Sequence, residues 1–325
     1  MTLLSIRDLS VTYRTQGGPV PAVRGVDLDI DQGEVLGLAG ESGCGKSTVV
    51  GAILRLLPAR TQVSGEVLLN GEDVLAMKPG RMRAVRWTEA SVIFQGAMHA
   101  LNPVQRIGDQ LAEAIVIHGQ AGEREALVRV GALIEQVGLP PRRLKDYPHE
   151  LSGGQKQRVM IAMALACNPS LVIADEPTTA LDVMVQAQVL RLLNDLQREL
   201  GLAMLFITHD LSVLVEVCDR LAIMYAGKIV EEGPAQQVFE RPAHPYTAAL
   251  AAAFPAIGDV RFRRKPSGLG GDPPQPDAVP SGCSFHPRCP LAFDACPGTE
   301  PQLYPTGDRR RAACLLVQEG AGVTS

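Results

Sequence analysis

Through about residue 230, short runs of Val, Ile and Leu alternate with stretches of helical spacing. Apolar runs predict strands at Leu3–Tyr13, Val26–Ile30, Glu34–Ala39, Glu66–Leu69 and Ser91–Phe94. Further strands are expected at Leu171–Ala174, Ala203–Thr208, Leu221–Tyr225 and Lys228–Glu231. Such an alternation points to an α/β protein built around a buried sheet. Between Pro103 and Ala166 the strand signal stops, and Ile107–Ile117 and Ala126–Val137 carry helical spacing, so an all-helical insert is expected there. After Gly233 the pattern changes again. Two short helices, Pro234–Phe239 and Pro245–Ala253, precede Pro- and Gly-rich sequence that carries four cysteines. This tail reads as a separate module with little apolar material of its own. No internal repeat is visible.

Composition narrows the class. The 325 residues are 46% hydrophobic, which supplies an ordinary globular core. A net charge of -4 gives no overall basic footprint and argues against wholesale nucleic-acid binding. No window approaches the roughly 20 apolar residues that span a bilayer. The richest, Tyr246–Ile257, is short, alanine-heavy and broken by Pro255. The opening Met1-Thr2-Leu3-Leu4 lacks a basic segment followed by a long apolar one, so no secretory signal is expected. The reading is therefore cytosolic, where seven cysteines favour metal or redox chemistry over disulfides.

Two segments carry phosphate chemistry. Gly40-Glu41-Ser42-Gly43-Cys44-Gly45-Lys46-Ser47 fits G-x-x-x-x-G-K-[ST] between a predicted strand and a helical run. Glycines there let backbone N–H groups face phosphate oxygens at a helix start. Lys46 is placed to reach the β- and γ-phosphates of a nucleotide, and the Ser47 hydroxyl to ligate Mg²⁺. The second segment, Leu171-Val172-Ile173-Ala174-Asp175-Glu176, is a buried strand ending in two carboxylates, where open α/β sheets place ligands. Asp175 suits a Mg²⁺ contact and Glu176 suits polarising the attacking water.

Phosphate loops are shared by many unrelated enzymes, so the kind of ATPase rests on a third motif. Leu151-Ser152-Gly153-Gly154-Gln155, leading into the helical run Lys156–Ala166, resembles the ABC-transporter signature. Ser152 and the N–H groups of Gly153, Gly154 and Gln155 form an anion site at a helix start. The resemblance implies a nucleotide-binding domain over residues 1–235, with a RecA-like core, an antiparallel β part and a helical insert at about 96–166. It implies that this anion site faces ATP held by the loop of an opposing subunit, Gly40, Ser42, Gly43, Cys44, Gly45, Lys46, Ser47 and Thr48 being the loop's own nucleotide contacts. Tyr13 is similar to the aromatic that stacks on adenine. Gln95 matches the glutamine that senses Mg²⁺ and water, Asp182 the aspartate that crosses the dimer interface, and His209 the histidine that bonds the γ-phosphate.

Two further stretches resemble the dipeptide and oligopeptide importer branch. They are Arg241-Pro242-Ala243-His244-Pro245-Tyr246-Thr247 with the tail, and Met98-His99-Ala100-Leu101-Asn102-Pro103, with Tyr147-Pro148-His149 supporting them. Gly96 departs from the acidic residue usual after the glutamine. This likeness implies a peripheral ATPase on the cytoplasmic face of the membrane, in a type I importer. Its partners are a second, different ATPase subunit, two transmembrane permease subunits and an extracytoplasmic substrate-binding protein. The competing reading, a soluble ABC ATPase acting on nucleic acid or ribosomes, is opposed by the single phosphate loop and modest insert. Residues 236–325 form the C-terminal extension. Its Cys283, Cys289, Cys296 and Cys314, spaced Cys-x5-Cys-x6-Cys-x17-Cys, match in number a [4Fe-4S] cluster or a structural zinc. The wide gaps lean away from zinc, and resemblance leans toward the cluster. Cys44, Cys167 and Cys218 fall in the ATPase core and are not expected to be ligands. With no catalytic motif in the tail, the cysteine site is expected to be remote from ATP.

Overall fold

The computed structural model describes residues 1–94, 96, 100–179, 181–253 and 270–320. In chain order the first elements are β1 (Thr2–Thr15), β2 (Gly18–Asp31), β3 (Val35–Ala39), α1 (Lys46–Ile53), β4 (Gln62–Leu69), β5 (Glu72–Asp73), α2 (Pro79–Thr88) and β6 (Ala90–Ile93). The middle holds α3 (Ile107–Ile117), α4 (Glu123–Gln136), α5 (Gly153–Leu165), β7 (Leu171–Asp175), α6 (Val183–Leu200) and β8 (Ala203–Ile207). Then come α7 (Leu211–Val217), β9 (Arg220–Tyr225), β10 (Lys228–Pro234), α8 (Ala235–Glu240) and α9 (Pro245–Ala253). The tail contributes β11 (Tyr304–Gly307), β12 (Arg310–Ala312) and α10 (Leu315–Gln318). Among the described residues no helix is long and apolar enough to cross a membrane.

The chain forms two compact units. The first gathers Met1, Asp31–Glu34 and Ala76–Leu205. In it β6 runs parallel to β7, with Ala90 opposite Leu171 and Ile93 opposite Ala174. The expected helical insert is present as α3 and α4, whose buried faces carry Ile107, Leu111, Val130 and Ile134. Helix α5 packs on α6 so closely that a Cβ on Gly154 would lie 2.5 Å from Val185 Cγ1. At the end of α6, Gly201 adopts φ 62, the left-handed turn that stops a helix without steric cost.

The second unit gathers Thr2–Ile30, Val35–Leu75 and Phe206–Ser325. One of its sheets is antiparallel, in the order β2-β1-β4-β5. Leu4 and Ile6 of β1 face the core opposite Leu69 and Val67, and a bulge between Arg7 and Ser10 resets the alternation so that Leu9 and Val11 are also buried. Strand β2 is much longer than its apolar core Val26–Ile30. Pro19 and Pro21 cannot donate to a ladder and hide this stretch from a pattern reading, but β2 lies at the sheet edge, where proline is tolerated.

Beside this lies a run of strands in the order β11-β12-β10-β9-β3. Strand β3 is parallel to β9, and β9, β10, β12 and β11 are joined antiparallel. The tail is thus not a module apart. It extends the sheet at β10 and adds Phe285, Ala312 and Leu315 to the core. Ion pairs fix that edge: Glu232 with Arg311 at 2.6 Å, and Glu231 with Arg310 at 2.8 Å. Glu231 is fully buried and also accepts the N–H groups of Ala243 and His244, at 2.8 and 2.9 Å. Arg310 in turn donates to the Arg241 carbonyl.

Breaking a buried pair strands the surviving charge, typically at a cost of about 3–5 kcal/mol. Glu231→Ala is therefore expected to lower the urea midpoint of unfolding by a loss of that order. Lys228→Ala, which loses only an exposed contact to Glu300, should cost about 1 kcal/mol or less.

Candidate functional site

The phosphate loop follows β3, a strand buried at every position. Its shape is forced by close approach to neighbouring backbone. A Cβ on Gly40 would collide with the Met224 carbonyl oxygen and lie 2.7 Å from Cys44 Sγ. One on Gly45 would sit 2.5 Å from the Ala22 carbonyl. Gly40, Gly43 and Gly45 have φ of 154, 80 and 113, conformations that side chains rarely adopt. Gly45 is the N-cap of α1, whose first-turn N–H groups are the donors that a helix start offers to anions. Lys46 is buried, and its ammonium donates to the carbonyls of Gly40 at 2.6 Å and Glu41 at 3.0 Å. A third contact, to Cys44 Sγ at 3.6 Å, means that the loop itself engages all three N–H donors. The Tyr13 and Thr48 hydroxyls are 3.1 Å apart, so the tyrosine reaches the first turn of α1. Burial pushes the Cys44 thiol up, the nearby Lys46 offsetting only part of that rise.

His209, in the same unit, is exposed in the turn between β8 and α7. The turn is fixed on its far side by Asp210, the N-cap of α7, whose carboxylate accepts from Ser212 N–H at 2.9 Å and Oγ at 2.6 Å.

In the first unit, Asp175 ends β7 and Glu176 follows with φ 47, a left-handed conformation at a half-buried carboxylate. Thr179 Oγ1 donates to Glu176 Oε2 at 2.9 Å, which orients the acid from within its own turn. Ser152 caps α5 in a reciprocal box: its Oγ accepts from Gln155 N–H, and Gln155 Oε1 accepts from Ser152 N–H at 3.0 Å. Gly153, Gly154 and Gln155 form the first turn of α5. Asp182 is exposed and caps α6, accepting from Val185 N–H at 3.0 Å. Gln95, Met98 and His99 lie outside the described residues. Gly96 is exposed, with φ 77.

The tail reaches the phosphate loop. Arg288, next to Cys289 in sequence, makes a two-pronged ion pair with Glu41 of the loop, Nη1 to Oε2 at 2.7 Å and Nη2 to Oε1 at 3.0 Å. The Glu41 N–H donates to the Tyr246 hydroxyl at 2.9 Å. Glu41 and Arg288 carried no signal in the sequence: the first is a variable position of the loop motif, and the second belongs to no motif, whereas Tyr246 falls in the Arg241–Thr247 stretch. Rings of Tyr225, Tyr246 and Phe285 lie 4.6 to 5.4 Å apart and fasten the tail behind the loop.

Cys283, Cys289, Cys296 and Cys314 do converge. They line one small cavity of about 20 Å³ with Phe285 and Leu315, room for about one water. Burial above all, with a smaller contribution from the neighbouring thiols, pushes the Cys283 thiol up to about 11. Cys289 and Cys314 are raised by burial as well. Burial thus favours the neutral form of these three thiols. As they stand, no three His, Cys, Asp or Glu side chains among the described residues are grouped to hold a metal ion. All seven cysteines are free thiols, and Cys167 and Cys218 are buried away from this cavity with raised pKa, Cys167 at about 11.

Residues 23–179 match the family model described as ABC transporter, and residues 230–296 match "Oligopeptide/dipeptide transporter, C-terminal region". A probable peptide ABC transporter ATP-binding protein of Sinorhizobium fredii is 47% identical, covering 98% of this chain and 96% of its own length. The oligopeptide transport ATP-binding protein OppD of Escherichia coli is 42% identical over 98% of this chain and 94% of its own. The dipeptide transport ATP-binding protein DppD of Bacillus subtilis is 41% identical over 98% and 96%. Among solved structures, the dimeric bacterial ABC transporter cassette MJ0796 aligns with a TM-score of 0.64 at 28% identity, covering 71% of this chain and 98% of that one. The same cassette bound to ADP and Pi, in a post-hydrolysis state, matches equally well.

The loop's two kinds of glycine are separable by mutation. Gly40→Ala adds an atom against fixed backbone and is expected to destabilise the protein by about 3 kcal/mol or more. Gly43→Ala meets open space and should cost only the left-handed strain, about 1–2 kcal/mol. Denaturant unfolding of the two variants checks the order.

Proposed function

This chain belongs to the ABC transporter family of ATPases, in its oligopeptide/dipeptide branch, and from that premise we propose that it powers the import of dipeptides or oligopeptides. The observation that carries the ATPase reading is the phosphate loop, with Lys46 held at its mouth by two loop carbonyls. ATP lies along Gly40–Thr48, with Tyr13 against the adenine and the Lys46 charge on the β- and γ-phosphates. Ser47, Asp175 and Gln95 are the groups that would hold Mg²⁺, which neutralises charge building on the phosphates. Glu176 polarises the attacking water, Thr179 keeping its carboxylate in place, and His209 and Gln95 contact the γ-phosphate end. Ser152, Gly153, Gly154, Gln155 and Asp182 serve the nucleotide of an opposing subunit. The chain works at the cytoplasmic face of the membrane, paired with a different ATPase subunit on two permease subunits that receive peptide from a binding protein. Residues 1–235 are the nucleotide-binding domain and 236–325 the extension. Nothing in the fold favours action on nucleic acid.

The extension's four cysteines hold a [4Fe-4S] cluster, with zinc as the alternative. The donor set supports this: four thiols face one void, and a thiol gives up its proton on meeting a metal. The void must widen for the cluster to enter.

Glu176→Gln is expected to cut turnover by about 10²- to 10⁴-fold in the assembled transporter while ATP affinity is kept. Near-normal turnover would refute the role given to Glu176. Lys46→Ala should instead weaken ATP binding itself. Protein purified without oxygen should be brown, with about four iron atoms per chain as the cluster type requires. Colourless, iron-free protein with stoichiometric zinc would decide for zinc.

A further inference from the structure

We propose that the tail positions the phosphate loop for ATP: Arg288 and Tyr246 hold Glu41, and the Glu41 peptide in turn sets Lys46. This rests on the reading that the loop holds ATP.

Three groups of Glu41 are engaged, each by different partners. Its carboxylate is gripped by Arg288, its N–H is accepted by the Tyr246 hydroxyl, and its carbonyl accepts the Lys46 ammonium and, at 3.3 Å, the Cys44 N–H. The residue is thus a node between the tail and the lysine. Only the bonds to the carbonyl arise within the loop. Arg288 has a side chain 7% exposed and Glu41 one 22% exposed, so the pair is largely shielded from water. A two-pronged arginine–carboxylate pair fixes direction as well as distance. Arg288 also lies over the Tyr225 ring, its guanidinium carbon 5.9 Å from the ring centre. Tyr246 is fully buried and has no freedom to follow a moving loop.

The tail has other attachments that would suffice to anchor it. Arg311 pairs with Glu232, Lys228 with Glu300, and β12 pairs with β10. None of these touches the loop. Tail prolines also face it: a cavity of about 190 Å³ is bounded by Glu41–Cys44 on one side and by Pro273, Pro274 and Pro276 on the other. Proline fixes φ, so this wall is stiff. In an unclamped loop only the long Cys44 N–H bond still restrains the Glu41 peptide, its carbonyl swings from Lys46, and the ammonium loses one of the two oxygens that hold it at the loop. The effect falls on nucleotide binding before it falls on chemistry, because no residue assigned to the water takes part in this clamp. Arg288 and Tyr246 are accordingly positioning residues, acting on ATP through Glu41 and Lys46.

The test is calorimetric titration of the full-length chain with Mg-ATP, with melting curves alongside. Glu41→Gln and Arg288→Gln are each expected to raise the ATP dissociation constant about 3- to 10-fold, the range of one charge-assisted contact. The double variant should be no weaker than either single one, because both remove the same link. Arg288→Lys, which keeps charge without the fork, should fall between. Tyr246→Phe removes one hydroxyl from a ring that stays packed, and a rise of about 2- to 5-fold is expected. Glu232→Gln, which loosens the tail away from the loop, should bind ATP as the parent does. In the assembled transporter KM should rise with kcat changed by less than about two-fold. The proposal is overturned if Glu41→Gln and Tyr246→Phe bind ATP like the parent, if the double variant is additive, or if Glu232→Gln weakens binding equally. Should Arg288→Gln fail to fold, Tyr246→Phe and Glu41→Gln decide alone. Lys46→Ala separates the two readings: if it too binds ATP normally, the loop is not the ATP site.

Discussion

A backbone that must present N–H groups to phosphate has to be held in one unusual path, and here that path is set by contact with a carbonyl. At Gly40 the chain passes so close to the Met224 oxygen that no Cβ fits between them. Met224 lies in β9, which is parallel to β3, so the strand pair that makes the sheet also fixes where the loop begins. At Gly45 the Ala22 carbonyl closes in from β2 in the same way. Between these two points the loop bends around Lys46, whose ammonium is satisfied by loop carbonyls and therefore stays buried without strain. Any substitution that widens the gap between β3 and β9 acts first on this loop.

The C-terminal tail meets the same physics from the other side. It has few large apolar side chains, and a segment of that kind does not fold by burial alone. What it has instead are aromatic anchors, Phe285 and Tyr246, packed against Tyr225, and a row of ion pairs along β10. Glu231 tolerates full burial because three donors converge on it. An ion pair is more costly to break than to omit, so these contacts fix the tail's register more than they add stability. Arg288 follows the same rule, and its partner belongs to the phosphate loop. A segment that resembles an appendage thus reaches the loop assigned to ATP and the cysteine cavity together, with Arg288 on one side and Cys289 on the other.

The linear text carried the chemistry well where a motif is local. The phosphate loop, the acids that end β7 and the cap at Ser152 each sit within a few residues, and the physics that selects them is equally local: a turn, a strand end, a helix start. The apolar runs located β3, β7, β8 and β9 for the same reason, since strands buried on both faces need continuous Val, Ile and Leu. Strands with a partner but no apolar signal were missed. β11 and β12 exist because β10 offers an edge, and the first half of β2 exists because an edge strand can carry proline. Helix α2 opens with Lys78 and Pro79 and is too polar for its periodicity to stand out.

By itself, then, the sequence determined the order of the buried strands and the residues that point to phosphate chemistry, because glycine, lysine and carboxylate are chosen by forces acting within a turn of chain. It also supplied the count of tail cysteines. Only the tertiary structure decided that those four thiols line one void, that the tail completes a sheet, and that Glu41 has Arg288 and Tyr246 as partners. These are contacts between residues far apart in the chain. Their energies come from burial and from the low dielectric around them, and neither exists until the chain has folded.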